Sequence, residues 1–422
     1  MDARNGSTNM PRLFARGLEA RYCRYHIIET HQVGQLIALC MILPDHNLSP
    51  AACFTFLSSN PCACVINIAT ACCSGGLSNW LYNVQLPEGA VPIRGEPRQV
   101  LLRLYGQVHG ERAIEGLITE SVIFTLLSER KLGPKLHGIF PGGRIEEYIP
   151  ARPLLTKELA DPTLSRMIAE KMGQIHTMQV PISKEPTWLW DTMAKWLDTA
   201  SDILEKPNEM NGRHLENINI VKTTDLAHEI RWFRSLATQH KHSVVFCHND
   251  MQEGNILLQQ NTERPELVLI DFEYCSYNYR GFDLANHFVE WQYDYTAPEY
   301  PFFYERMHAV PTDEQKVKRS DFFVSVLVRD VGENDYLRTL GKEGPAEEDR
   351  VMGEIKIFSL GSHLFWSLWS IVNAKLSEIP FGYWDYAVSR LKNYHRLKQE
   401  ILSSGPSNSK GRAEKQLSDR IG

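Results

Sequence analysis

Two clusters of charged and amide side chains in the middle of the chain have the residue types and spacing that phosphoryl transfer requires. In the stretch VVFCHNDMQEGNILL, His248, Asp250 and Asn255 fit the pattern H-x-D-x-x-x-x-N. Farther along, Asp271 directly follows the apolar run Leu267–Ile270 and begins the triplet D-F-E. Transfer to a hydroxyl needs a carboxylate facing the acceptor and oxygen ligands for the magnesium ion on the nucleotide. The pattern therefore predicts Asp250 as the base and Asn255 and Asp271 as metal ligands.

The apolar runs that precede the clusters, Val244–Cys247 and Leu267–Ile270, predict short strands that stop where the polar residues begin. A short hairpin between them would bring Asp250 and Asp271 to one cleft. Aspartate and asparagine also collect at strand ends because they suit turns, which is the alternative for either cluster alone. Two clusters with this internal spacing favour the catalytic interpretation.

Length and composition limit the class of protein. A chain of 422 residues can form two lobes or domains with a sizeable core. A formal net charge of −6 does not suit a nucleic-acid binder, which more often carries a strong basic excess. The apolar run around residues 35–43 is too short to span a bilayer, and no cleavable leader begins the chain. We therefore expect a cytoplasmic protein that does not bind nucleic acid and does not insert stably into a membrane.

Cysteines are concentrated near the start of the chain. Seven of the nine lie in the first 73 residues, including Cys62, Cys64 and the adjacent Cys72 and Cys73. A zinc site needs paired C-x-x-C spacings, which these residues do not supply. Neither a metal site nor a disulfide scaffold is therefore predicted, and the remaining two cysteines, Cys247 and Cys275, are interpreted as packed thiols.

The pattern of predicted elements divides the chain into four parts. Residues 1–63 show no sustained helical or strand period and form an atypical segment. Residues 64–150 predict a β-rich, nucleotide-binding lobe, and residues 151–402 predict a larger, mostly helical catalytic lobe. Residues 403–422 are polar and predict a loose tail. The expected fold class is α+β with two lobes.

A turn of small residues in the smaller lobe could let backbone amides approach phosphates. It separates two predicted strands and contains Gly75, Gly76, Leu77, Ser78 and Asn79. Arg103, on the following strand QVLLRLYG, stands where kinases place a phosphate-binding lysine, and a guanidinium can bind two phosphate oxygens at once. The alternatives are a simple hairpin turn and a surface arginine.

Three further residues of this region have candidate roles around the nucleotide. The apolar spacing of ITESVIFTLLSER predicts a helix over 118–130, on which Glu120 could pair with Arg103 or face solvent. Glu147 and Ile149 follow a predicted hairpin, where backbone groups of the hinge would meet adenine. His176, on an apolar helical face, is interpreted as a packed core histidine.

Aromatic residues near the end of the chain offer a second site. Trp366 and Trp369 are i, i+3 neighbours on the predicted helix IKIFSLGSHLFWSLWSIVNAKLS, and FGYWDYA adds Tyr383 and Tyr386. Such a stripe is often core packing. Several Trp and Tyr faces also bind a quaternary ammonium by cation–π attraction, and an acidic residue such as Glu290 would add opposite charge. Asp283, in the stretch between the two sites, could brace the catalytic loop, which is the segment from His248 to Asn255 that carries the predicted base.

Taken together, these motifs resemble the choline/ethanolamine kinase family, particularly its choline kinase branch. The resemblance extends from about Ser74 to Leu397 and rests on SGGLSNWLYNV, VLLRLYG, ESVIFTLLSERKLGPKL, EEYIPARPL, KEPTWL, VVFCHNDMQEGNILL, LIDFEYCSYNYRGFDLANHF, FWSLWSI and FGYWDYA. It implies a two-lobed, protein-kinase-like fold that transfers the γ-phosphate of MgATP to the hydroxyl of choline, often also of ethanolamine. It further implies a cytosolic enzyme of phospholipid synthesis, acting as a homodimer or as a heterodimer with a related kinase.

Matched motif by motif, the resemblance assigns roles to individual residues. Asp250 is similar to the family's base, Asn255 and Asp271 to its Mg²⁺ ligands, and Arg103 to its phosphate-binding arginine. Gln252 and Glu253 belong to the same loop and are expected to support it. The residues similar to the family's choline pocket are Glu290, Tyr295, Trp366, Trp369 and Tyr386.

The chain departs from the family at several points. Upstream of Ser74 nothing matches the usual helical N-terminal segment and first strand, while Ala285 replaces a usual glycine and Glu147 a usual hinge glutamine.

Alternative functions are an ethanolamine-preferring kinase, an aminoglycoside kinase, and a catalytically impaired binding subunit. The paired tryptophans do not favour a kinase that uses only a primary amine. A polycationic antibiotic would need an acidic cleft, and an intact base and metal ligands do not favour an inactive subunit.

Overall fold

The computed structural model describes residues 27–30, 63–69, 80–86, 89, 92, 96–104, 111–140, 143–205, 214–260, 263–311, 345–377 and 379–403. Within these residues a small lobe built on a β-sheet precedes a larger lobe that is mostly helical. This arrangement confirms the predicted α+β class with two lobes. The division of the chain at residues 63, 150 and 402 stays a prediction.

The small lobe is a six-stranded antiparallel sheet with one helix beside it. The bounds are β1 Ile27–Thr30, β2 Ala63–Ala69, β3 Trp80–Gln85, β4 Gln99–Leu104, α1 Glu111–Glu129, β5 Leu136–Phe140 and β6 Gly143–Glu147. In spatial order the strands run β1-β2-β3-β4-β6-β5. Helix α1 contacts strand β5 at the edge of the sheet.

The segment before Ser74 contributes two strands to this sheet. Strand β2 is close to the strand predicted before the glycine turn, whereas β1 was not expected from the sequence. Strand β1 pairs antiparallel with β2, Ile27 opposite Asn67 and Ile28 opposite Ile66. Four residues are too few to display a strand period, which is why the sequence pattern missed β1.

Several predicted features lie outside the described residues. These are the glycine turn containing Gly75, Gly76, Leu77, Ser78 and Asn79, and the tail beyond Ser403.

The larger lobe combines three small β-structures with a helical core. The bounds are β7 Ala151–Pro153, α2 Pro162–His176, α3 Trp188–Glu205, α4 Leu215–Thr223, α5 Leu226–Ala237, β8 Val244–Cys247, β9 Ile256–Gln259, β10 Leu267–Leu269, β11 Ser276–Tyr279, α6 Arg280–Glu290, β12 Tyr293–Asp294, β13 Tyr304–Glu305, α7 Pro345–Leu376 and α8 Tyr383–Ser403. Strands β10, β9 and β7 form one antiparallel sheet, β11 pairs with β8, and β12 pairs with β13. Helix α7 packs against α8, α6, α3 and α5.

Local sequence explains where two of these helices begin. Asp161 accepts hydrogen bonds from the backbone N–H groups of Thr163 and Leu164 at 2.9 and 3.0 Å, and Pro162 occupies the first turn of α2. Asp225 caps α5 in the same way through His228 N at 2.9 Å. An acceptor at the N-cap satisfies backbone donors that have no partner within the helix.

Helix α7 is unusually apolar because it lies in the core. Its stretch Asp349–Leu376 is long and apolar enough to cross a bilayer, but most of the residues in its most apolar part are buried inside the protein. Phe358, Leu364, Phe365 and Leu368 have no exposed surface. Burial against the neighbouring helices accounts for this composition. Cys247 and Cys275 are buried free thiols, as expected.

One glycine of α7 is required by close helix packing. A Cβ atom on Gly361 would lie 2.4 Å from the Cζ atom of Phe233 on α5. We expect Gly361→Ala to lower the free energy of unfolding by about 1–3 kcal/mol, because two packed helices must move apart. Gly353→Ala on the same helix is the control, since a Cβ there meets nothing within 4 Å. Urea midpoints for both variants test this, and equal midpoints would contradict it.

Candidate active site

The turns that follow β8 and β10 each contain a residue with left-handed backbone conformation. Asn249 has φ 68° and Asp271, after β10, has φ 63°. Asparagine and aspartate tolerate this region better than most other residues. His248 joins the two turns: its Nε2 lies 3.1 Å from the carbonyl oxygen of Ile270, and its Nδ1 accepts a hydrogen bond from Asp250 N at 3.3 Å. Burial lowers the pKa of His248, so the ring is neutral in this role.

The three predicted polar residues of the phosphoryl site come together in the structure. Asn255 Nδ2 donates to Asp250 Oδ2 at 2.8 Å and to the Asp250 carbonyl at 2.9 Å. Strands β9 and β10 pair Ile256 with Leu269, and Ile270 N donates to the carbonyl of Asn255 at 3.0 Å. This register places Asp271 beside the end of the loop.

These residues fit a magnesium ion. Both N–H groups of the Asn255 amide are directed at Asp250, so its Oδ1 is the atom that remains to face a cation. Burial raises the pKa of Asp271, although Arg103 opposes the shift. Burial and the charges of Glu290 and Asp271 raise the pKa of Asp250 well above its usual range. Neighbouring carboxylates that are wholly or partly buried repel one another, and a hard cation stabilises such a cluster of oxygen ligands.

Asp283, on helix α6, braces the catalytic loop. Its Oδ1 accepts from Asn249 N at 2.7 Å and its Oδ2 from His248 N at 3.1 Å. His176 Nε2 lies 2.9 Å from the same Oδ2. Burial disfavours the charge, but the hydrogen bond from His176 and the bonds from the loop dominate and lower the pKa of Asp283. The expected bracing role is confirmed, and His176 is buried in the core as expected.

Two other residues of α6 contact the loop, and the sequence analysis did not single them out. His287 accepts from Trp291 Nε1 at its Nε2, so its Nδ1 carries the proton and donates to the Met251 carbonyl at 2.8 Å. Burial lowers the pKa of His287 to about 4. Their positions three and four residues after Asp283 put Asn286 and His287 on one helical face, which was the available signal.

Asn286 connects the loop to the aromatic region. Its Nδ2 donates to the Asn249 carbonyl at 3.4 Å. Its Oδ1 accepts from Trp366 Nε1 at 2.6 Å and from Ser362 Oγ at 2.8 Å. One side chain therefore contacts both the backbone of the catalytic loop and an aromatic ring of the second site.

On the nucleotide side, the expected Arg103–Glu120 ion pair is wrong. Arg103 Nε contacts Glu146 Oε1 at 2.7 Å, Arg144 Nε contacts the same oxygen at 2.7 Å, and Arg144 Nη1 contacts Glu120 at 2.6 Å. The register of β4 and β6 sets Arg144 directly opposite Arg103, so Arg144 takes the helical glutamate. Glu146 separates two like charges that would repel as cross-strand neighbours. Arg103 is buried and is not the surface residue of the alternative interpretation.

Three other predicted residues have clear structural settings. The Glu147 carboxylate is exposed and accepts from Lys135 N at 3.0 Å. Ile149 is half-buried just before β7. Gln252 Oε1 accepts from Gly254 N at 2.9 Å and so caps the single turn Glu253–Asn255. The Gln252 side chain therefore stabilises its own loop.

The residues expected to bind an ammonium group converge next to this loop. Trp366 and Trp369 have ring centroids 5.6 Å apart, and Trp369 lies 6.4 Å from Tyr386. Tyr295 lies 6.1 Å from Tyr386 and donates its hydroxyl to Glu290 Oε2 at 2.6 Å. The aromatic stripe is therefore part of the core, and it packs around a carboxylate, as a site for an ammonium group would require. Sequence analysis missed Arg390, which forms an ion pair with Glu290.

We expect Asp283→Asn to lower the free energy of unfolding by about 2–4 kcal/mol at pH 7 and kcat more than tenfold, because charged acceptors of two loop N–H groups are lost. The folded-state pKa of Asp283 is lowered, so its contribution is present above the unfolded value of about 4 and is lost as pH falls through the folded value. Urea unfolding of both proteins from pH 8 to 3 should show a constant difference that shrinks below about pH 4.

Asp225→Asn is the control for this prediction, because Asp225 is an exposed cap that accepts one backbone N–H. Its effect should stay within about 1 kcal/mol. A stability difference for Asp283→Asn that does not change between pH 8 and 3 would show that the carboxylate charge is not what holds the loop.

Comparison with known proteins agrees with this geometry. The family model of choline/ethanolamine kinases matches residues 71–395. The chain is 44% identical over 331 residues to a choline/ethanolamine kinase of Rattus norvegicus, covering 78% of this chain and 80% of the relative. It is 45% identical over 331 residues to one of Homo sapiens, with the same coverage. Identity to choline kinase alpha of Mus musculus is 43% over 347 residues, covering 78% of this chain and 75% of that one.

Solved structures share the fold. A choline kinase from Cryptosporidium parvum Iowa II superimposes with a TM-score of 0.60 at 25% identity, covering 89% of this chain and 97% of that chain. The two-lobed, protein-kinase-like fold expected from the sequence is thereby confirmed. The matched span includes the catalytic loop, its bracing helix and the aromatic site. This protein therefore belongs to the choline/ethanolamine kinase family.

Proposed function

We propose that the protein transfers the γ-phosphate of ATP to the hydroxyl of choline and of ethanolamine, forming phosphocholine and phosphoethanolamine. The observation that carries this proposal is the position of Asp250. Its carboxylate is held by Asn255 in a braced loop, and it lies near Glu290 at the aromatic site. Family membership supports both acceptors, since relatives at 44–45% identity are named choline/ethanolamine kinases.

Asp250 acts as the base in this proposal. Asn255 occupies Asp250 Oδ2, which leaves Oδ1 to accept the proton of the acceptor hydroxyl. Asn255 and Asp271 would hold Mg²⁺, which supplies positive charge to the phosphates when bound. Positioning and electrostatic stabilisation then account for catalysis without a covalent enzyme intermediate.

The nucleotide would lie between the small lobe and the loop. Arg103 is proposed to bind phosphate oxygens, with Glu146 fixing its Nε. Glu120 supports this arrangement through Arg144. Backbone groups of Glu147 and Ile149 are proposed to meet the adenine. The glycine turn before β3 is proposed to cover the phosphates.

The ammonium end of the acceptor is assigned to the aromatic site. Faces of Trp366, Trp369 and Tyr386 attract a quaternary ammonium, and the negative charge of Glu290 complements it. An exclusively ethanolamine-using kinase and an inactive binding subunit are not favoured. We further propose a cytoplasmic enzyme of phospholipid synthesis that functions as a homodimer or with a related kinase.

Coupled ADP release tests the reaction directly. We expect Mg²⁺-dependent turnover with choline and ethanolamine and none with kanamycin. Asp250→Ala should lower kcat by at least a thousandfold while ATP binding persists, because the base is lost and the phosphate contacts remain. Folded wild-type protein that releases no ADP with either amino alcohol would refute the proposed activity, and turnover with kanamycin would favour the antibiotic kinase.

The role of the tryptophans has its own test. Trp369→Ala should raise the choline KM by about 2- to 30-fold, the range expected for loss of one cation–π contact, and the ethanolamine KM by less. Trp196→Ala is the matched control, because Trp196 lies outside the proposed pocket and packs on Phe365 with a distance of 4.6 Å between the ring centroids. Equal changes in the two KM values for Trp369→Ala would remove the cation–π argument.

A further inference from the structure

Four charged side chains on the nucleotide side form one cluster between β4, β6 and α1. Glu146 Oε1 accepts from Arg103 Nε and from Arg144 Nε, each at 2.7 Å. Arg144 Nη1 donates to Glu120 Oε1 at 2.6 Å. The side chains of Arg103, Arg144 and Glu146 are buried, and that of Glu120 is 20% exposed. Two positive and two negative charges are therefore balanced in a largely buried space.

The two arginines of the cluster differ in how their donors are used. Among the contacts between described residues, Arg103 uses only its Nε, so its two Nη groups remain to bind phosphate oxygens. Arg144 uses Nε and Nη1 for two carboxylates, and its guanidinium carbon lies 4.2 Å from the ring centre of Phe124 on α1. Arg144 thus binds anions of the protein itself, whereas Arg103 has donors to offer a ligand.

Charge balance explains what Arg144 contributes. Burial disfavours the charge of Glu146, but Arg103 and Arg144 together outweigh it and lower the pKa of Glu146. Without Arg144, the carboxylates of Glu120 and Glu146 would share Arg103 as the remaining positive charge of the cluster. Besides burial, the charge of Glu120 contributes to the raised pKa of Asp271, so it also acts at the proposed metal site. An uncompensated Glu120 would therefore compete with phosphate for Arg103 and repel the polyphosphate.

We propose that Arg144 is a positioning residue for the phosphates of ATP: by holding Glu120 and sharing Glu146, it keeps Arg103 in place and leaves the Nη groups of Arg103 to the ligand. The inference rests on the proposed function and deepens it on the nucleotide side. Phe124, against the guanidinium of Arg144, packs on Phe272 with 5.8 Å between the ring centroids. Because Phe272 follows Asp271, Arg144 is also linked to the turn that carries a proposed metal ligand.

Arg144→Met tests this inference, since methionine keeps an unbranched, adaptable side chain beside Phe124 and removes the charge. We expect the Kd of ATP, measured by calorimetry with Mg²⁺ and without an acceptor, to rise about tenfold or more, because an unpaired Glu120 opposes the phosphates. The Kd of adenosine, which has no phosphates, should not change. Arg396→Met is the matched control: it also removes one positive charge, but from an exposed pair with Glu400 on α8, and both Kd values should stay as in the wild type.

A charge-balanced double variant separates the effect of charge from a loss of packing. Arg144→Met combined with Glu120→Gln removes one charge of each sign, so most of the lost ATP affinity should return. A double variant that binds ATP as weakly as Arg144→Met would overturn the inference. An equal weakening of adenosine and ATP in Arg144→Met, or an unchanged Kd of ATP, would overturn it as well.

If Arg144→Met does not fold, as judged by its urea unfolding curve, Arg144→Lys decides the question. One ammonium group keeps the charge but cannot hold two carboxylates as the guanidinium fork does, so the Kd of ATP should still rise about threefold or more. Unchanged affinity in this variant would overturn the inference. Because ATP binding is measured without choline or ethanolamine, failure of the proposed phosphoryl transfer and failure of this inference are distinguishable.

Discussion

One buried carboxylate holds the backbone of the catalytic loop. Asp283 has no exposed surface, and its two oxygens accept from two consecutive loop N–H groups and contact His176. An unpaired charge in this position would be strongly destabilising, so the contacts must form together. Two of the donors to Asp283 are N–H groups of the loop. Burying helix α6 with this carboxylate therefore also fixes the left-handed turn at Asn249 and the direction of Asp250.

Helix α6 also extends from the catalytic loop to the aromatic residues of the second site. Successive turns present Asp283, Asn286, His287 and Glu290 to the loop and the aromatic region. With a rise of about 1.5 Å per residue, the first and last of these are separated by roughly 10 Å along the axis. One rigid element thus supports the carboxylate proposed to face the acceptor hydroxyl and the carboxylate proposed to face its ammonium group. Asn286 adds a direct connection, since its amide contacts both the loop and Trp366.

The sequence predicts the local chemistry better than the contacts between distant segments. Asp250, Asn255 and Asp271 are recognisable because they follow strands at short, characteristic spacing. The Arg144–Glu120 pair is not, because it depends on the register between β4 and β6, which are separated by a helix and another strand. In the sequence, Arg390 is one more charged residue on an amphipathic helix. Its buried partners become apparent only from the packing of α8 against α7 and from its contact with Tyr293 of β12. Strand β1 is too short to show a period, and its pairing with β2 spans more than thirty intervening residues.

The shared use of α6 has a consequence for how acceptor preference can diverge. A substitution at Asn286 or Glu290 alters a residue that faces the acceptor region on the helix that also braces the loop, so a change of substrate there is coupled to a change in rate. Helix α8 contributes Tyr386 and Arg390 to the proposed acceptor site and is not among the elements that brace the loop within the described residues. Within the proposed site, a substitution at Tyr386 can therefore alter acceptor preference without changing a residue that contacts the loop, whereas a substitution at Arg390 would leave Glu290 of α6 without its ion-pair partner.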